Sequence, residues 1–469
     1  MNAKKTSARQ KVSPSKSIRL ALLGLSIAST VLAACGPSPS EPTTVALSMD
    51  SSSSGRGSTV ETHSISAPSA EPSAEPSAEA TVEPAVEPTA APSAEPAEEP
   101  STAPTAEPTA EPSATPASVS PEQARAGLLT AGTWSDLDRW DFWLNLMQSP
   151  WYDEVKAWNF NPTRRIAVDL EQAERPLGDQ LLTLKDAQGN LVSQSRTNMK
   201  GQADFFINLF NQSQQGPFTL YKGEQADQVL QTDIEIPVQK NLNPLLIEST
   251  GVAPANQVDI MLSVDTTGSM GDELSFLQFE LQNVLTTVES NNPQLNLRAS
   301  TNFYKDRGDA YLVRPFPFTT DFSQVQQQLS EQSAGGGGDY PEAVELALAD
   351  AIQEHQWQTS ARARLLFLVL DAPPHQNAQV REQLQTLTES ARQKGIRIIP
   401  VASSGVDKPT EFLMRSLAIS TGGEYVFLTD DSGIGGSHIE PTIGDYKVEK
   451  LNALMIRLIE KYAGVEQAQ

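Results

Sequence analysis

The sequence predicts an α/β fold with a doubly wound, largely parallel sheet for its C-terminal part. A small all-β sandwich and a disordered linker rich in Pro, Glu and Ala are expected before it. From about residue 255 onward, strand-length apolar runs alternate with amphipathic helical patterns, which is typical of such sheets. Residues 162–240 show short strand-like runs separated by turn residues, as in a β-sandwich. Residues 36 to about 120 repeat Ala-Glu-Pro imperfectly and show neither the helical nor the strand-like spacing of apolar residues.

Composition narrows the possible functions. The chain has 469 residues, one Cys and a formal net charge of −24. The acidity argues against a nucleic-acid partner, because no basic stripe is present to contact phosphates. A single Cys excludes a disulfide framework within the chain. We divide the sequence into four parts, at residues 1–34, 35–120, 126–240 and 255–469.

The first part has the pattern of a cleaved targeting segment. Basic residues precede an apolar run at 20–31, which is too short to span a bilayer. The run ends in Leu32-Ala33-Ala34-Cys35, which resembles the lipobox of bacterial lipoproteins. The resemblance implies a signal peptide at 1–34, lipidation of Cys35 and a place in the bacterial cell envelope, anchored to a membrane. Gly36 rather than Asp after the Cys favours the outer membrane. An ordinary signal peptide with an incidental Cys is the alternative.

Residues 35–120 are expected to be a disordered stalk. Proline recurs at nearly every third or fourth position between Glu71 and Pro112, which prevents helix and sheet and favours extended polyproline II. The repeated glutamates repel one another and extend the segment further. A docking site for a proline-binding module is the alternative interpretation.

Residues 126–240 combine a tryptophan-rich segment with the predicted β-sandwich. The density of Trp between 134 and 158 fits either an exposed binding patch or, as we favour, the core or lid of a small domain. Residues 184–190 and 197–205 resemble the carboxypeptidase-regulatory-like, Ig-like β-modules. Such modules usually have no catalytic role, and we identify no catalytic group here.

One strand end carries a cluster of oxygen ligands. The apolar run 258–264 stops at Asp265, and Thr267 and Ser269 follow at alternate positions before a helical pattern begins. Because ligands of open α/β sheets bind beyond the carboxyl ends of strands, these side chains suit a hard divalent cation. The simplest alternative is that Asp265 caps the next helix. Two others are an aspartyl-phosphate loop and an aspartic-protease motif, the latter lacking its second copy.

Two further strand ends also carry acids. Gly335-Gly-Gly-Gly338 is followed by Asp339, and Pro341 is expected to begin a helix that continues to about His355. A phosphate-cradling loop is disfavoured because no Lys-Ser/Thr pair follows the glycines. The buried run 365–370 ends at Asp371. Nearby His375 is expected to be a solvated loop residue rather than a ligand or base, and Asp306 and Asp309 to belong to a charged hairpin turn rather than to a second cation site.

The order of these elements resembles the von Willebrand factor type A (VWA) family. Asp265-x-Thr267-x-Ser269 is similar to the family's metal-ion-dependent adhesion site, and the resemblance implies that Asp339 and Asp371 complete it. It further implies Mg²⁺ (or Mn²⁺ or Ca²⁺) as cofactor and a protein partner that offers an acidic side chain. Gly338 stands where many members have Thr, and Asp339 comes one residue later. If Asp339 binds, the added negative charge holds the cation more tightly and reduces its pull on a partner carboxylate.

The leading hypothesis is therefore an envelope-anchored, metal-dependent binding module, used for adhesion or complex assembly, without enzymatic activity. The first alternative is a phosphoryl-transfer enzyme of the haloacid-dehalogenase-like type with Asp265 as nucleophile, although we find no well-placed lysine for it. The second is a structural VWA module whose metal site has no role.

Overall fold

The computed structural model of the protein describes residues 124–465. The predicted signal peptide, Cys35 and the predicted stalk lie outside the described residues and stay predictions. The described chain begins with one strand and two short helices: β1 Thr130–Trp134, α1 Trp140–Gln148 and α2 Tyr152–Trp158.

A β-sandwich follows, as predicted. It has two four-stranded sheets, one in the order β3-β2-β6 with β9 beside β2, the other in the order β5-β4-β7-β8. Their facing side chains form one apolar cluster that includes Val168, Leu184 and Phe205. The strands are β2 Arg165–Gln172, β3 Arg175–Pro176, β4 Leu181–Lys185, β5 Leu191–Arg196, β6 Gln202–Phe206, β7 Phe218–Lys222, β8 Gln228–Ile234 and β9 Leu245–Glu248. We call residues 165–248 the β-module.

The α/β part follows the β-module and contains strands alternating with helices. Its elements are β10 Gln257–Asp265, α3 Leu274–Asn291, β11 Asn296–Tyr304, β12 Val313–Pro315, α4 Phe322–Ser330, α5 Val344–Ala349, β13 Ala363–Leu370, α6 Ala378–Lys394, β14 Ile396–Ala402, α7 Lys408–Thr421, β15 Tyr425–Leu428, β16 Glu449–Lys450 and α8 Leu451–Ala463. Among residues 124–465, no helix combines the length and apolar character needed to cross a membrane.

The central sheet has eight strands in the order β12-β11-β10-β13-β14-β15-β1-β16. Five adjacent strands of this sheet are parallel to one another: β11, β10, β13, β14 and β15. The other three strands, β12, β1 and β16, are antiparallel to their neighbours. Helices α3, α4 and α8 bury their apolar faces on one side of the sheet, and α5, α6 and α7 on the other. The predicted doubly wound, largely parallel sheet is therefore confirmed.

The tryptophan-rich segment belongs to the α/β part, which corrects its grouping with the β-module. Strand β1 pairs antiparallel with β15, Ala131 opposite Leu428, and also with β16. Trp143 and Trp151 are 0% and 2% exposed and pack against Phe412 of α7. The aromatic side chains are therefore core rather than an exposed binding patch.

Two buried polar contacts attach this segment to the α/β part. Arg415 of α7 donates to both carboxylate oxygens of Asp136, at 2.9 and 2.6 Å, and its guanidinium lies 4.6 Å from the centre of the Trp151 ring. On the other face, the carboxylate of Glu280 in α3 accepts from three successive backbone N–H groups, those of residues 127–129, at 2.8 to 3.0 Å. The chain is thus held on both sides of β1.

The helix predicted to begin at Pro341 begins at Val344 instead. It ends at Ala349, and a π-helical turn continues it over Asp350–Glu354. The delay has a local cause: Glu342 N donates to Pro373 O at 2.8 Å, and Glu342 forms a parallel bridge with Pro374. This pairing holds Glu342 extended, outside the helix.

A buried carboxylate attaches the β-module to the α/β part. Asp179 is 7% exposed at its side chain and accepts from Arg364 Nη1 at 2.8 Å and from Ala361 N at 3.1 Å. Arg196 of β5 also lies within 3.5 Å of Asp179. The ion pair is buried and multiply bonded, so removing one partner leaves an uncompensated charge in a poorly solvated place.

We expect Asp179→Asn to destabilise the protein by about 2 kcal/mol, because the guanidinium of Arg364 loses its counter-charge while one acceptor oxygen remains. Asn also tolerates the positive φ of 59° at this position. Urea unfolding followed by circular dichroism measures the change. The exposed Glu235→Ala is the matched control and is expected to stay within about 0.5 kcal/mol of wild type. Equal stability of the two variants would contradict the assigned role of Asp179.

Candidate metal centre

The parallel ladder brings the predicted site residues to one edge of the sheet. Asp265, the last residue of β10, is opposite Tyr304, the last residue of β11. Val264 is opposite Val369 of β13, and Asp371 follows that strand directly. The carboxylates of Asp265 and Asp371 are therefore neighbours because the three strands end in register.

We call the segment after β10 the first loop, the glycine-rich segment before α5 the second loop, and the segment after β13 the third loop. The first loop positions its hydroxyls around Asp265. Asp265 Oδ1 accepts from Thr267 N at 2.8 Å and from Thr267 Oγ1 at 2.7 Å, and Thr267 Oγ1 lies 3.2 Å from Ser269 Oγ. Ser269 is exposed, so the cluster opens to solvent there. Neither the 3-10 turn Gly268–Asp272 nor α3 has a side-chain cap, so the helix-cap interpretation of Asp265 is wrong.

Asp265 is a buried carboxyl with one free oxygen. It is 0% exposed, and its Oδ2 has no hydrogen-bond partner among the described residues. Burial, and after it the charge of Asp371, raise the pKa of Asp265 to about 7, against the hydrogen bonds from Thr267 and Tyr304, which lower it. At neutral pH the group thus binds a proton or needs a counter-cation.

Asp371 repeats the pattern on the neighbouring strand. It is 3% exposed, and its Oδ1 has no partner within residues 124–465. Burial raises its pKa to about 6, against the hydrogen bond from Ser269, which lowers it. The charges of Glu273 and Asp272 add to the rise. The Ser269 contact joins the first loop to the third.

Glu342 is a site residue that sequence reasoning missed. It is 2% exposed, and its Oε2 has no partner in the described part of the chain. Burial raises its pKa to about 9, with the charge of Asp265 and then those of Asp306, Asp371 and Asp309 adding to the effect. The available signal was an acid directly before an apolar helical pattern. Its inward position depends on the pairing with the third loop, which the sequence does not display.

Asp339, predicted as the ligand of the second loop, is not brought into this group. It is exposed, and the charges that act on Glu342 come from other carboxyls. The adjacent Tyr340 hydroxyl donates to Gly405 O at 3.1 Å and accepts from Asp407 N at 3.1 Å. These bonds attach this part of the loop to the segment between β14 and α7.

The glycine loop is fixed against the first loop. Gly335 N donates to Thr266 O and Gly268 N donates to Gly336 O, both at 3.1 Å. Gly337 has a φ of +74°, and a Cβ there would lie 3.0 Å from Glu342 Oε1 and 3.5 Å from Thr267 Cβ. Only glycine fits that conformation and that gap without strain. Gly337 therefore lies beside Thr267.

A buried lysine, also missed from the sequence, joins the same two loops. Lys305, 6% exposed, donates from Nζ to Thr266 O and to Gly335 O. Burial lowers its pKa, whereas the charges of Asp309 and Asp265 act to raise it. Its ammonium lies 5.5 Å from the centre of the Tyr311 ring.

The remaining candidates lie beside the centre. His375 Nε2 is 2.8 Å from Asp306 Oδ1, so the histidine is paired with the turn after β11 that contains Asp306 and Asp309. Asp309 accepts from Asp306 N at 3.1 Å and from Gly337 N at 2.8 Å. Asp309 therefore stabilises both its own turn and the glycine loop.

The donor set fits a hard divalent cation. The free oxygens of Asp265, Asp371 and Glu342 and the hydroxyls of Thr267 and Ser269 are the ligand types that Mg²⁺ and Ca²⁺ prefer. Within residues 124–465, no group of three or more His, Cys, Asp or Glu is arranged to hold a metal by itself. Any cation here would therefore depend on the two hydroxyls and on water as well as on carboxylates.

Comparison with known proteins points to one family. Residues 259–434 match the family described as von Willebrand factor A domain. The human von Willebrand factor A domain-containing protein 7 is 28% identical over 188 residues, which is 38% of this chain and 20% of that protein. An ariadne-like RING finger protein of Acanthamoeba polyphaga mimivirus is 28% identical over 125 residues, 27% of this chain and 12% of that protein. This chain thus spans a fifth or less of either relative.

A solved structure with a matching chain is the conserved hypothetical protein BatB from Bacteroides thetaiotaomicron, with 16% identity and a TM-score of 0.31, covering 44% of this chain and 99% of that one. The family match and the doubly wound sheet, with its strand ends at Asp265 and Asp371, agree. Residues 259–434 of this chain are therefore similar to the von Willebrand factor A domain.

Proposed function

We propose that this protein is a binding module whose VWA domain holds Mg²⁺ (or Mn²⁺ or Ca²⁺) and uses it to engage an acidic side chain of a protein partner. Asp265, Thr267, Ser269 and Asp371 would hold the cation, with Glu342 in place of the predicted Asp339. The observation that carries the proposal is that Asp265, Asp371 and Glu342 each keep a buried carboxyl oxygen without a hydrogen-bond partner among the described residues, while the charges of Asp265 and Asp371 act on Glu342. VWA domains commonly mediate protein interactions, which agrees with this function.

A cation accounts for an arrangement that is otherwise unfavourable. Buried carboxyls whose charges act on one another raise each other's pKa and cost free energy when ionised. The chain's own contribution is to hold Asp265 Oδ1 through Thr267, to keep Ser269 at the surface, and to leave Asp265 Oδ2 free. A bound cation would supply an open coordination position to an incoming oxygen.

The location of the centre favours a protein partner over a small substrate. It opens at exposed residues of the first two loops, Ser269 and Gly338, on a strand-end surface. A cleft of about 590 Å³ lies elsewhere, lined by residues such as Arg165, Arg397 and Tyr462. Small-molecule sites are usually enclosed clefts with convergent polar groups, whereas protein partners bind open surfaces.

The envelope anchor remains part of the proposal on sequence grounds. Lipidation of Cys35 and an extended stalk over residues 35–120 would place the VWA domain away from a bacterial membrane, where it can meet partners.

The phosphoryl-transfer alternative is not favoured. A nucleophilic Asp265 needs an adjacent cation to bind the transferred phosphate, yet Lys305 directs its ammonium to the carbonyl oxygens of Thr266 and Gly335. Asp265 Oδ1 is itself held by Thr267.

Calorimetric titration of Mg²⁺ and Mn²⁺ into the purified protein is expected to show saturable binding that Asp265→Ala abolishes. Glu342→Gln is expected to weaken binding by roughly ten- to a hundredfold, the range found when groups that support a metal site are removed. Asp339→Ala is the matched control, because it removes an exposed carboxylate from the same loop, and should bind as wild type does. Loss of binding in Asp339→Ala with retention in Glu342→Gln would reverse the assignment.

Metal affinity is expected to rise with pH between about 6 and 9. The pKa values of Asp371, Asp265 and Glu342 are raised to about 6, 7 and 9, so protons compete with the cation at lower pH and leave as it binds. Titration at pH 7 in two buffers of different ionisation heat measures the protons released. A binding constant that does not change over this range would contradict the raised pKa values.

We expect no turnover of p-nitrophenyl phosphate by the protein with saturating Mg²⁺. The ammonium of Lys305 is bonded to the carbonyl oxygens of Thr266 and Gly335, and Asp265 Oδ1 is bonded to Thr267, so neither group is arranged for phosphoryl transfer. Release of p-nitrophenol that Asp265→Asn abolishes would instead favour the enzyme.

A further inference from the structure

The ammonium of Lys305 is a fixed positive charge beside the candidate metal centre. Its Nζ donates to the carbonyl oxygens of Thr266, next to Asp265, and of Gly335, in the glycine loop. The side chain is 6% exposed, and the Tyr311 ring covers it at 5.5 Å. The Tyr311 hydroxyl is in turn 2.7 Å from Thr266 Oγ1, so the ammonium cannot swing away without breaking a packed set of contacts.

The charges around this ammonium are mainly negative. The charges of four other carboxyls act on Glu342, and the charges of Asp309, Asp265 and Glu342 all act on Lys305. Arg314 also acts on it, from the face of the Tyr311 ring, 4.0 Å from the ring centre. A divalent cation alone does not balance five carboxylates, so an incoming partner carboxylate would meet a centre that is still acidic.

We propose that Lys305 is a specificity-determining residue. Its charge keeps the metal-loaded centre attractive to the carboxylate of a partner, and this inference rests on the metal-binding function proposed above. No bond to the cation is required of Lys305, which acts through its charge on the centre as a whole.

An electrostatic role of Lys305 and a structural role of Lys305 have different effects on cation binding. Removing a fixed positive charge makes the centre one unit more negative, which strengthens its attraction for a divalent cation and weakens its attraction for an anion. Loosening the first and second loops would weaken both, because the same loops position Thr267 and Ser269. The two roles therefore predict opposite changes in cation affinity.

The experiment uses Mn²⁺ as the cation and acetate as the carboxylate probe. Water-proton relaxation reports Mn²⁺ binding, and it falls when acetate displaces water from the bound ion. In Lys305→Met, which keeps the apolar part of the side chain, we expect Mn²⁺ affinity equal to or greater than wild type. The acetate concentration for half-displacement is expected to rise roughly tenfold, the size of effect for one charge acting at short range in a partly solvated site.

Two further variants test the charge itself. Lys305→Arg keeps the charge and should retain the acetate affinity of wild type. Asp309→Asn changes the local charge by one unit in the opposite direction while keeping an oxygen that can accept from Gly337 N. It should bind acetate more tightly and Mn²⁺ less tightly, and this result stands even if Lys305→Met fails to fold in a thermal melt.

Each outcome decides the question. Opposite shifts of Mn²⁺ and acetate in Lys305→Met and Asp309→Asn support the proposal. A joint loss of both in Lys305→Met with unchanged acetate binding in Asp309→Asn shows a structural role only and overturns it, as does an unchanged acetate affinity in every variant. Absence of Mn²⁺ binding by wild type would be a failure of the metal-binding function itself, recognisable before any variant is made.

Discussion

The parallel pairing of β10 with β11 on one side and β13 on the other is the constraint on which the centre depends. The ladder runs without a register shift from Val258 to Val264 against both neighbours, so the three strands end together. Because these strands are buried on both faces, their register is strongly specified by packing. Asp265 and Asp371 are neighbours because the backbone hydrogen bonds between β10 and β13 align the two strands. A register shift of one residue between these strands would separate the two carboxylates.

The parts of the site that could be predicted from the sequence are those that depend on the local pattern of apolar and polar residues. The apolar run 258–264, its stop at Asp265 and the buried run before Asp371 are visible in the sequence, and both acids lie where strand ends place them. Glu342 and Lys305 were missed because each owes its position to contacts between loops that are distant in sequence, Glu342 with Pro373 and Lys305 with Gly335. Asp339 was predicted as a ligand from its position after the glycines. That position does not indicate which acid of the loop has a buried side chain.

The assignment of β1 to the main sheet was beyond sequence reasoning for a related reason. Four of its residues pair with β15, almost three hundred positions later, and no sequence pattern in the intervening β-module predicts this pairing. The buried ion pair between Asp136 and Arg415 is similar, since it joins residues 279 positions apart in the sequence. Long-range pairing of this kind is set by tertiary packing, which overrides the weak preferences of short segments.

The path of the chain through β1 has a mechanical consequence. The polypeptide enters the α/β sheet at β1, leaves it to build the β-module, and returns at β10, so the β-module is an insertion in the α/β domain. A pulling force applied to the chain before residue 124 is therefore borne first by β1 and by its backbone contacts with Glu280, without passing through the β-module. Glu280 belongs to α3, the helix that follows the loop of Asp265 and Ser269. The helix that holds the segment before β1 is therefore the same helix that follows the loop of the candidate centre.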